Sequence, residues 1–211
     1  MTRIATALVL IPAMVGLALF APLWALAAAL GLAGAFAMLE YDRIAQAAFA
    51  GIWPRLAGIV YVFGPLACAI LLWRIGRHWL MFALLLPWIG DTAAMYAGKT
   101  WGRHKLAPVV SPNKTWEGAI ASMLASTIGG ALYAHYLLPM TALLIALAIA
   151  ASGNLAGQFG DLAESALKRR AGVKDSGSSL PGHGGWLDRI DAALFAVPMV
   201  YLLVRLLPNQ P

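Results

Sequence analysis

Charged residues are scarce in this sequence. Asp, Glu, Lys and Arg make up 11% of the 211 residues, whereas a soluble domain usually contains about 25%. Hydrophobic residues account for 61% of the chain. A chain with so few polar residues cannot form a polar surface facing water, which argues against a soluble enzyme or a soluble binding module. The composition therefore predicts a membrane protein with several spans.

Cysteine is almost absent as well. Cys68 is the one cysteine, so an internal disulfide is excluded, and its place within an apolar run is typical of a buried or lipid-facing residue. The net charge of +6 is not gathered into one long basic patch, which argues against a nucleic-acid partner. The bases instead flank apolar runs, next to the headgroups of a membrane. No convincing signal-peptide cleavage pattern ends the first run, so we expect it to be retained as a span.

The apolar runs predict an all-α fold, a polytopic integral membrane bundle of about seven transmembrane helices. As one helix, residues 4–39 would be about 54 Å long, too long for a hydrocarbon core of about 30 Å, so we expect a break at Pro22. The predicted spans are residues 4–20, 22–39, 56–75, 79–98, 118–137, 140–159 and 192–208. We expect a connecting loop or interfacial helix at residues 40–55 and a short turn at Pro139.

The predicted spans divide the chain into two parts. Residues 1–55 form an N-terminal transmembrane hairpin with its connecting loop, and residues 56–211 form a catalytic transmembrane domain with charged loops at 99–117 and 160–191. Seven spans place both loops on one side, together with twelve of the fifteen Lys and Arg residues. The positive-inside rule assigns that side to the cytoplasm. The basic residues on the other side are Arg74, Arg77 and Arg205.

The second charged loop, GDLAESALKRRAGVKDSGSSLPGHGGWLDRID, contains ten of the charged residues and six glycines. Acidic side chains can bind a cation, and basic side chains can bind phosphate. Glycines allow the backbone to come close to a ligand. The combination indicates chemistry on a phosphorylated substrate beside a membrane. Residues 172–185 resemble a backbone nest for an anion. Within them, His183 is a candidate acid or base, a phosphate donor, or a residue that only bonds to the loop.

The acids of this loop are spaced in pairs. If the seventh helix begins near Leu187, Asp188 and Asp191 project from one face of its first turn. Asp161 and Glu164 have the same spacing at the end of the sixth span. Hard oxygen ligands of this kind, completed by phosphate oxygens, are what Mg²⁺ prefers. The alternative is that the acids form solvated ion pairs with neighbouring arginines, namely Arg169, Arg170 and Arg189.

Asp91 lies inside the fourth apolar run, near its cytoplasmic end. An acid at membrane depth costs about 2.5–3.5 kcal/mol on insertion scales, so it usually faces the interior of the bundle and has a function. Pro87 and Gly90 allow a local kink that could open a cavity there. The alternative is a structural partner for a neighbouring helix.

The segment SPNKTWEG, residues 111–118, follows the fourth span. Lys114 and Thr115 are candidates to hold phosphate oxygens. Thr115 or Asn113 could instead cap the helix that Glu117 begins.

The segment SALKRRAGVKDSGSSLPGHGGWLDRID closely resembles the signature of the phosphatidate cytidylyltransferases, also called CDP-diacylglycerol synthases. The matching positions are Ser165, Lys168, Arg169, Lys174, Asp175, residues 181–185, Asp188, Arg189 and Asp191. The segments GDLAES, GDTAAMYAGKTWGRHKLAP and SPNKTWEG also resemble that family. The resemblance covers residues 86–200 well. Members of the family are commonly longer, with extra spans before the catalytic half.

This resemblance implies an inner-membrane enzyme that joins CTP and phosphatidate to give CDP-diacylglycerol and pyrophosphate, with Mg²⁺ and a second, monovalent cation such as K⁺. The metal ligands it implies are Asp161, Asp188 and Asp191. The expected catalytic residues are those three with Lys168, Arg169 and Lys174. The expected substrate-binding residues are Asp91, Ser111, Lys114, Thr115, Glu117, Ser165, Asp175, His183 and Arg189. Membrane lipids and a second copy of the chain, as a homodimer, are further expected partners.

Other functions remain open at this level. A related membrane enzyme that uses CTP on another lipid, either a polyprenol kinase or an archaeal-type lipid cytidylyltransferase, is the main alternative. A small transporter for an anionic solute would place acids and bases along a path through the bilayer. Here 16 of the 24 charges fall at Asp91 or in the two charged loops, which favours an enzyme. The DGxxAR…GxxxD…D pattern of a CDP-alcohol phosphotransferase is absent from the sequence.

Overall fold

The computed structural model describes residues 2–138, 141–179 and 184–207, with side chains from residue 8 onward. Two of the residues singled out above, Pro139 and His183, lie outside the described residues. So does the part of the glycine-rich motif at residues 180–183.

The described chain forms seven longer helices, one single-turn helix and one short β-hairpin. The first helices are α1 (Thr2–Leu19), α2 (Leu23–Ala48), α3 (Trp53–Ile75) and α4 (Arg77–Trp101). The hairpin strands β1 (Lys105–Ala107) and β2 (Ser111–Thr115) follow. The remaining helices are α5 (Trp116–Leu137), α6 (Leu143–Arg170), α7 (Leu187–Ile190) and α8 (Ala193–Arg205). The expected all-α bundle is confirmed.

Four helices are long and apolar enough to cross a membrane, namely α2, α3, α4 and α6. Helix α5 packs between α4 and α6, and α8 packs against α3, α4 and α6. Large apolar side chains cover the outside of the bundle: Phe20 and Leu144 are 78% and 80% exposed. A surface of that kind suits lipid rather than water. The protein is therefore a membrane protein.

Helix starts follow local signals in the sequence. Pro22 precedes α2, so the expected break between the first two helices is confirmed. Pro54 lies at the first turn of α3, where its missing N–H costs nothing. Thr115 caps α5, because its hydroxyl oxygen accepts a hydrogen bond from the backbone N–H of Gly118 at 3.1 Å. The capping interpretation of Thr115 is thus confirmed, and its hydroxyl proton remains available for another acceptor.

Two helices extend further than the sequence predicted. The prediction of a loop or separate helix at residues 40–55 was wrong, because α2 continues to Ala48 with Tyr41 and Ile44 buried in the bundle. Helix α6 continues to Arg170, so the first third of the 160–191 stretch is helical. Gly172, with φ of +72°, ends it in the left-handed conformation that glycine adopts readily.

The seventh span was predicted at residues 192–208, and α8 lies there, preceded by the separate single turn α7. The single turn α7 ends at Ile190, and α8 starts at Ala193. Asp191 occupies the break as the C-cap of α7. The backbone stays α-helical at Asp191 and Ala192, so the helical spacing of Asp188 and Asp191 is kept, although their carboxylates contact different partners.

The β-hairpin was not predicted. Strands β1 and β2 pair antiparallel, with Lys105 opposite Thr115 and Ala107 opposite Ser111. The hairpin folds back over the ends of α4 and α6, and an ion pair joins Lys114 of β2 to Asp161 of α6. Because α4 and α6 end at the same side of the bundle, the two charged segments meet there, as the span count predicted.

The bundle core lies at α4, α6 and α8. Phe82 and Leu86 of α4 and Val200 and Val204 of α8 are fully buried there. Gly153 of α6 allows this close packing, since a Cβ at that position would lie 2.7 Å from the Leu86 side chain and 2.9 Å from that of Val200. Both distances are shorter than van der Waals contact, and both neighbours are fixed in the core.

Gly153→Ala should therefore lower the free energy of unfolding by about 1–3 kcal/mol, the usual cost of overpacking a core. Thermal or denaturant unfolding in detergent measures the change. Gly31→Ala is the matched control, because nothing lies within 4 Å of a Cβ there. We expect this control to be as stable as the parent or slightly more stable, since alanine favours the helix. Equal losses in the two variants would contradict close packing at Gly153.

Candidate active site

A cavity of about 350 Å³ opens among α4, α5, α6 and the hairpin, at the end of the bundle where the charged segments meet. Five of the predicted site residues line it, namely Asp91, Ser111, Lys114, Thr115 and Asp161. The cavity thus combines a lysine, two carboxylates and two hydroxyls beside the N-terminus of α5. Backbone N–H groups at a helix N-terminus and a lysine ammonium both favour an anionic ligand.

Asp161 connects the two walls of this cavity. Its carboxylate forms an ion pair with Lys114, and Ser165 Oγ donates to Asp161 Oδ1 at 3.4 Å, a long hydrogen bond. Lys114 and Asp161 are each about a quarter exposed, so both remain accessible from the cavity. A phosphate entering here can replace Asp161 as the partner of Lys114, which would leave the carboxylate for a cation.

A chain of polar side chains continues from the cavity into the bundle. Gln158 lines the cavity and donates to Asn154 Oδ1 at 2.7 Å. Asn154 Nδ2 donates to Ser122 Oγ at 3.1 Å and to Ser126 Oγ at 2.9 Å, and Ser126 donates in turn to the Leu86 carbonyl. Gly90 makes room for Asn154, Ser122 and Ser126, since a Cβ at position 90 would lie within 2.8 Å of a polar atom of each. These hydrogen bonds satisfy polar groups that lipid could not.

Asp188 is held in place on both carboxylate oxygens. Lys168 Nζ donates to Oδ1 at 2.5 Å, and the backbone N–H groups of Ser176 and Gly185 donate to Oδ2 at 2.9 Å. Burial alone would raise the pKa of Asp188, but these hydrogen bonds outweigh it and hold the pKa below its ordinary value. Asp188 is therefore ionised and ties the glycine-rich segment, meaning residues 172–179 and 184–187, to α6.

Asp191 lies in a different environment. Burial raises the pKa of Asp191 well above its ordinary value, and the carboxylates of Glu164 and Asp161 raise it further. Glu164 is fully buried, with Lys168 Nζ 3.2 Å from Oε2. Neither Glu164 oxygen has a hydrogen-bond partner among the residues that the structure describes. Asp191 thus lies in a buried place close to two other acids, Glu164 and Asp161.

Comparison with known proteins identifies the family. Residues 46–207, well over half of the chain, match the family described as the Cytidylyltransferase family. The chain belongs to the cytidylyltransferase family. The matched residues include the cavity, the hairpin and the whole 160–191 stretch, so the sequence resemblance is confirmed at the level of the family.

Phosphatidate cytidylyltransferases of staphylococci are similar to this chain. The one from Staphylococcus saprophyticus is 44% identical over 129 residues, which cover 61% of this chain and 50% of the relative. Those from Staphylococcus aureus strain COL and Staphylococcus haemolyticus are 44% and 42% identical, with the same coverage. The chain spans about half the length of the curated relatives it matches.

The acids of this cytidylyltransferase-family site suit a cation in one respect. Glu164 is a buried carboxylate, which is costly unless a proton or cation compensates it, and Lys168 at 3.2 Å is one such cation. The described part of the chain nevertheless contains no group of three His, Cys, Asp or Glu side chains already arranged to hold a metal ion. Asp188 faces Lys168, while Asp161 faces Lys114. The Mg²⁺ site at Asp161, Asp188 and Asp191 stays a prediction.

The remaining predicted residues lie on the hairpin side of the site or on the segment that leads to Asp188. Arg169 donates to the backbone carbonyls of Val110 and Val173 at 3.2 Å, so it ties the hairpin to the end of α6. Glu117 pairs with His104 at the base of the hairpin, with 2.6 Å between Oε1 and Nδ1. Three other predicted residues are exposed beside the site, namely Lys174, Asp175 and Arg189. None of these placements tests a role in binding.

Glu40 is the residue that sequence reasoning missed. Its side chain is 2% exposed, yet it belongs to α2 and lies outside the matched residues 46–207. The signal was an acid at the end of a long apolar run, the same signal that drew attention to Asp91. It was overlooked because the second span was expected to end at residue 39, which placed Glu40 in a solvated connection.

Proposed function

We propose that this protein transfers the cytidylyl group of CTP to phosphatidate, giving CDP-diacylglycerol and pyrophosphate. One observation carries the proposal: motif residues from β2 and α6 converge on a cavity where Lys114 and Asp161 pair at the charged end of an apolar bundle. Membership of the cytidylyltransferase family and the identity of the relatives as phosphatidate cytidylyltransferases support it. Both substrates are anions, which matches the lysines and the helix N-terminus.

The proposed reaction exchanges one phosphoryl bond for another. A phosphate oxygen of phosphatidate attacks the α-phosphorus of CTP and forms a new P–O–P bond. The bond between the α-phosphorus and the bridging oxygen breaks, and that oxygen leaves with pyrophosphate. Since the lipid phosphate is already ionised at neutral pH, no strong general base is needed. The difficulty is to bring two anions together and to hold them in line.

The residues of the site divide this work between them. Lys114, accessible in the cavity, would bind a phosphate oxygen in place of Asp161. Thr115 keeps its hydroxyl proton for an acceptor while it caps α5. Lys168 and Asp188 would hold the glycine-rich segment at the edge of the site, so that Lys174 on that segment can reach the nucleotide. The acyl chains would remain in the bilayer while CTP enters from the water side.

Asp161 and Asp191, with Asp188 beside them, would hold Mg²⁺, and the buried Glu164 oxygens add negative charge to that place. When bound, the ion would neutralise charge on the triphosphate and on the departing pyrophosphate. We also propose that a monovalent cation such as K⁺ accompanies Mg²⁺ and that the protein forms a homodimer.

The proposed location is the inner membrane, with the site facing the cytoplasm. The span count predicted from the sequence puts twelve of the fifteen basic residues on that side, and the positive-inside rule supports this orientation. Arg77 at the opposite end donates to the Leu19 carbonyl and stacks over Trp73, which gives that charge local partners. Cysteine labelling from either side of sealed vesicles would test this orientation.

Product analysis tests the proposed function. Purified protein is incubated in detergent–lipid micelles with CTP, Mg²⁺ and phosphatidate, and lipid products are identified by mass spectrometry. We expect CDP-diacylglycerol and an equal amount of pyrophosphate. A lipid monophosphate together with CDP would instead indicate a lipid kinase, and product formation only from another lipid phosphate would change the substrate. The cavity variant Lys114→Met should lose most of the activity.

Removal of divalent ions is a separate prediction. EDTA should reduce CDP-diacylglycerol formation to background, and excess Mg²⁺ should restore it, because the acids of the site need a cation between two anionic substrates. The reaction rate is measured over a series of free Mg²⁺ concentrations. Asp161→Asn should shift the half-maximal Mg²⁺ concentration upward by about 10- to 100-fold. Full activity in EDTA would contradict the metal requirement.

A further inference from the structure

Glu40 is a buried carboxylate that three donors from the glycine-rich segment surround. Ser179 Oγ donates to Oε1 at 2.6 Å, while Ser176 Oγ and the backbone N–H of Leu187 donate to Oε2 at 2.9 Å. The donors lie more than 130 residues from Glu40 in sequence. A buried carboxylate is tolerated only where hydrogen bonds of this kind satisfy it.

The glycines of the segment are shaped around this carboxylate. A Cβ at Gly177 would lie 2.6 Å from Glu40 Oε1, and a Cβ at Gly185 would collide with Glu40 and with Ser176. The backbone at Gly177 and at Gly185 can therefore approach Glu40 only because glycine has no side chain. The close fit at these two positions indicates that Glu40 and the residues around it form one packed unit.

The unit continues directly to Asp188. Ser176 Oγ, which donates to Glu40, accepts from the Asp188 backbone N–H at 3.3 Å, and the Ser176 backbone N–H donates to the Asp188 carboxylate. Leu187, the other neighbour, begins α7 and precedes Asp188 in the chain. Glu40 thus connects to Asp188 from outside the matched residues, through Ser176, which bonds to Asp188, and through Leu187, which precedes it in the chain.

We infer that Glu40 is a positioning residue for the active site: it anchors the glycine-rich segment, and thereby Asp188, to the N-terminal helix α2. The inference rests on the proposed function for its kinetic part, and on geometry alone for its structural part. It also gives α2 a role in the site, beyond that of a membrane anchor.

Glu40→Gln is the central test because it keeps the side-chain shape but loses the charge and one acceptor oxygen. We expect the kcat for CDP-diacylglycerol formation to fall about 10- to 100-fold, the usual effect of removing a supporting hydrogen-bond partner, while KM for CTP changes much less. The melting temperature should stay close to that of the parent. Glu40→Ala should be more severe, and Glu40→Asp, one methylene shorter, intermediate.

Hydrogen–deuterium exchange provides a readout that does not depend on activity. In Glu40→Gln, the amides of Ser176, Gly185 and Leu187 should exchange at least about tenfold faster, which corresponds to one lost hydrogen bond. Amides in the middle of α4 and α6 should be unchanged. Asp42→Asn is the matched control on the same helix, because Asp42 is paired with Arg55 at the surface. Activity and exchange should both match the parent in this control.

A double-mutant cycle assigns the effect to the observed contact. Ser179 Oγ bonds to Glu40, so Ser179→Ala should cost less in the Glu40→Gln background than in the parent. Unchanged kcat and unchanged exchange in Glu40→Gln would overturn the inference, and so would an activity loss that only follows loss of folded protein. If the parent protein makes no CDP-diacylglycerol, the proposed function fails, and the exchange experiment still decides whether Glu40 anchors the segment.

Discussion

Replacing Asp188 by Asn should reduce CDP-diacylglycerol formation at least about 100-fold, with little loss of folded protein because Lys168 still pairs with Glu164. The amide keeps one oxygen for the backbone donors, Ser176 and Gly185, so the segment can stay in place. It loses the negative charge opposite Lys168, and its own NH₂ group faces the ammonium. The measurement is kcat and KM for CTP on purified protein, with the folded fraction taken from size-exclusion chromatography.

Asp191→Asn is the companion variant, and it separates catalysis from stability. Burial, and then the neighbouring carboxylates, raise the pKa of Asp191, so an amide, which is always neutral, should leave the melting temperature equal or higher. Turnover should nevertheless be lost, because a proposed metal ligand has been removed. Asp42→Asn serves as the surface control. Wild-type turnover in both site variants would remove the proposed role of these carboxylates in binding the ion.

Replacing Lys168 by Met should lower the free energy of unfolding by about 3–5 kcal/mol, the usual cost of removing one partner of a buried ion pair. Lys168 is 8% exposed and lies between Glu164 at 3.2 Å and Asp188 at 2.5 Å. Without the ammonium, two buried carboxylates face each other with no compensating cation from α6. Denaturant unfolding in detergent, followed by tryptophan fluorescence, measures the loss.

Two variants test this explanation of the Lys168 effect. Lys174→Met removes an exposed lysine of the adjacent segment and should change stability by less than about 0.5 kcal/mol. Glu164→Gln, added to Lys168→Met, should recover part of the stability, because it removes the carboxylate that lacks hydrogen-bond partners among the described residues. If the double variant is no more stable than Lys168→Met, the loss arises from packing of the lysine side chain instead.

Much of the fold could be predicted because membrane spans depend on local composition. Long apolar runs identified the helices, and Pro22 identified the break between α1 and α2. Counting spans also placed the two charged segments at one end, where the Lys114–Asp161 pair joins them. The ends of α2 and α6 were misjudged, because polar residues such as Glu40 and Asp161 lie on helices whose other faces still pack in the bundle.

The candidate site was predictable as a set of residues but not as an arrangement. Asp161, Asp188 and Asp191 were expected to act together, yet their immediate partners differ: Lys114 for Asp161, Lys168 for Asp188, and the like-charged Glu164 for Asp191. Spacing along a helix could not show this, because the partners belong to other elements: Lys114 to β2, and Lys168 and Glu164 to α6.

The amino-acid sequence by itself determined that this protein lies in a membrane, that its charged segments share one end, and that it carries the motifs of the cytidylyltransferase family. These properties depend on composition, on periodicity and on residues close together in the chain. Only the tertiary structure decided that Glu40 of α2 holds the segment around Ser176 and Leu187. That contact joins distant parts of the chain, and it exists because helix packing brings the end of α2 beside α6 and α7.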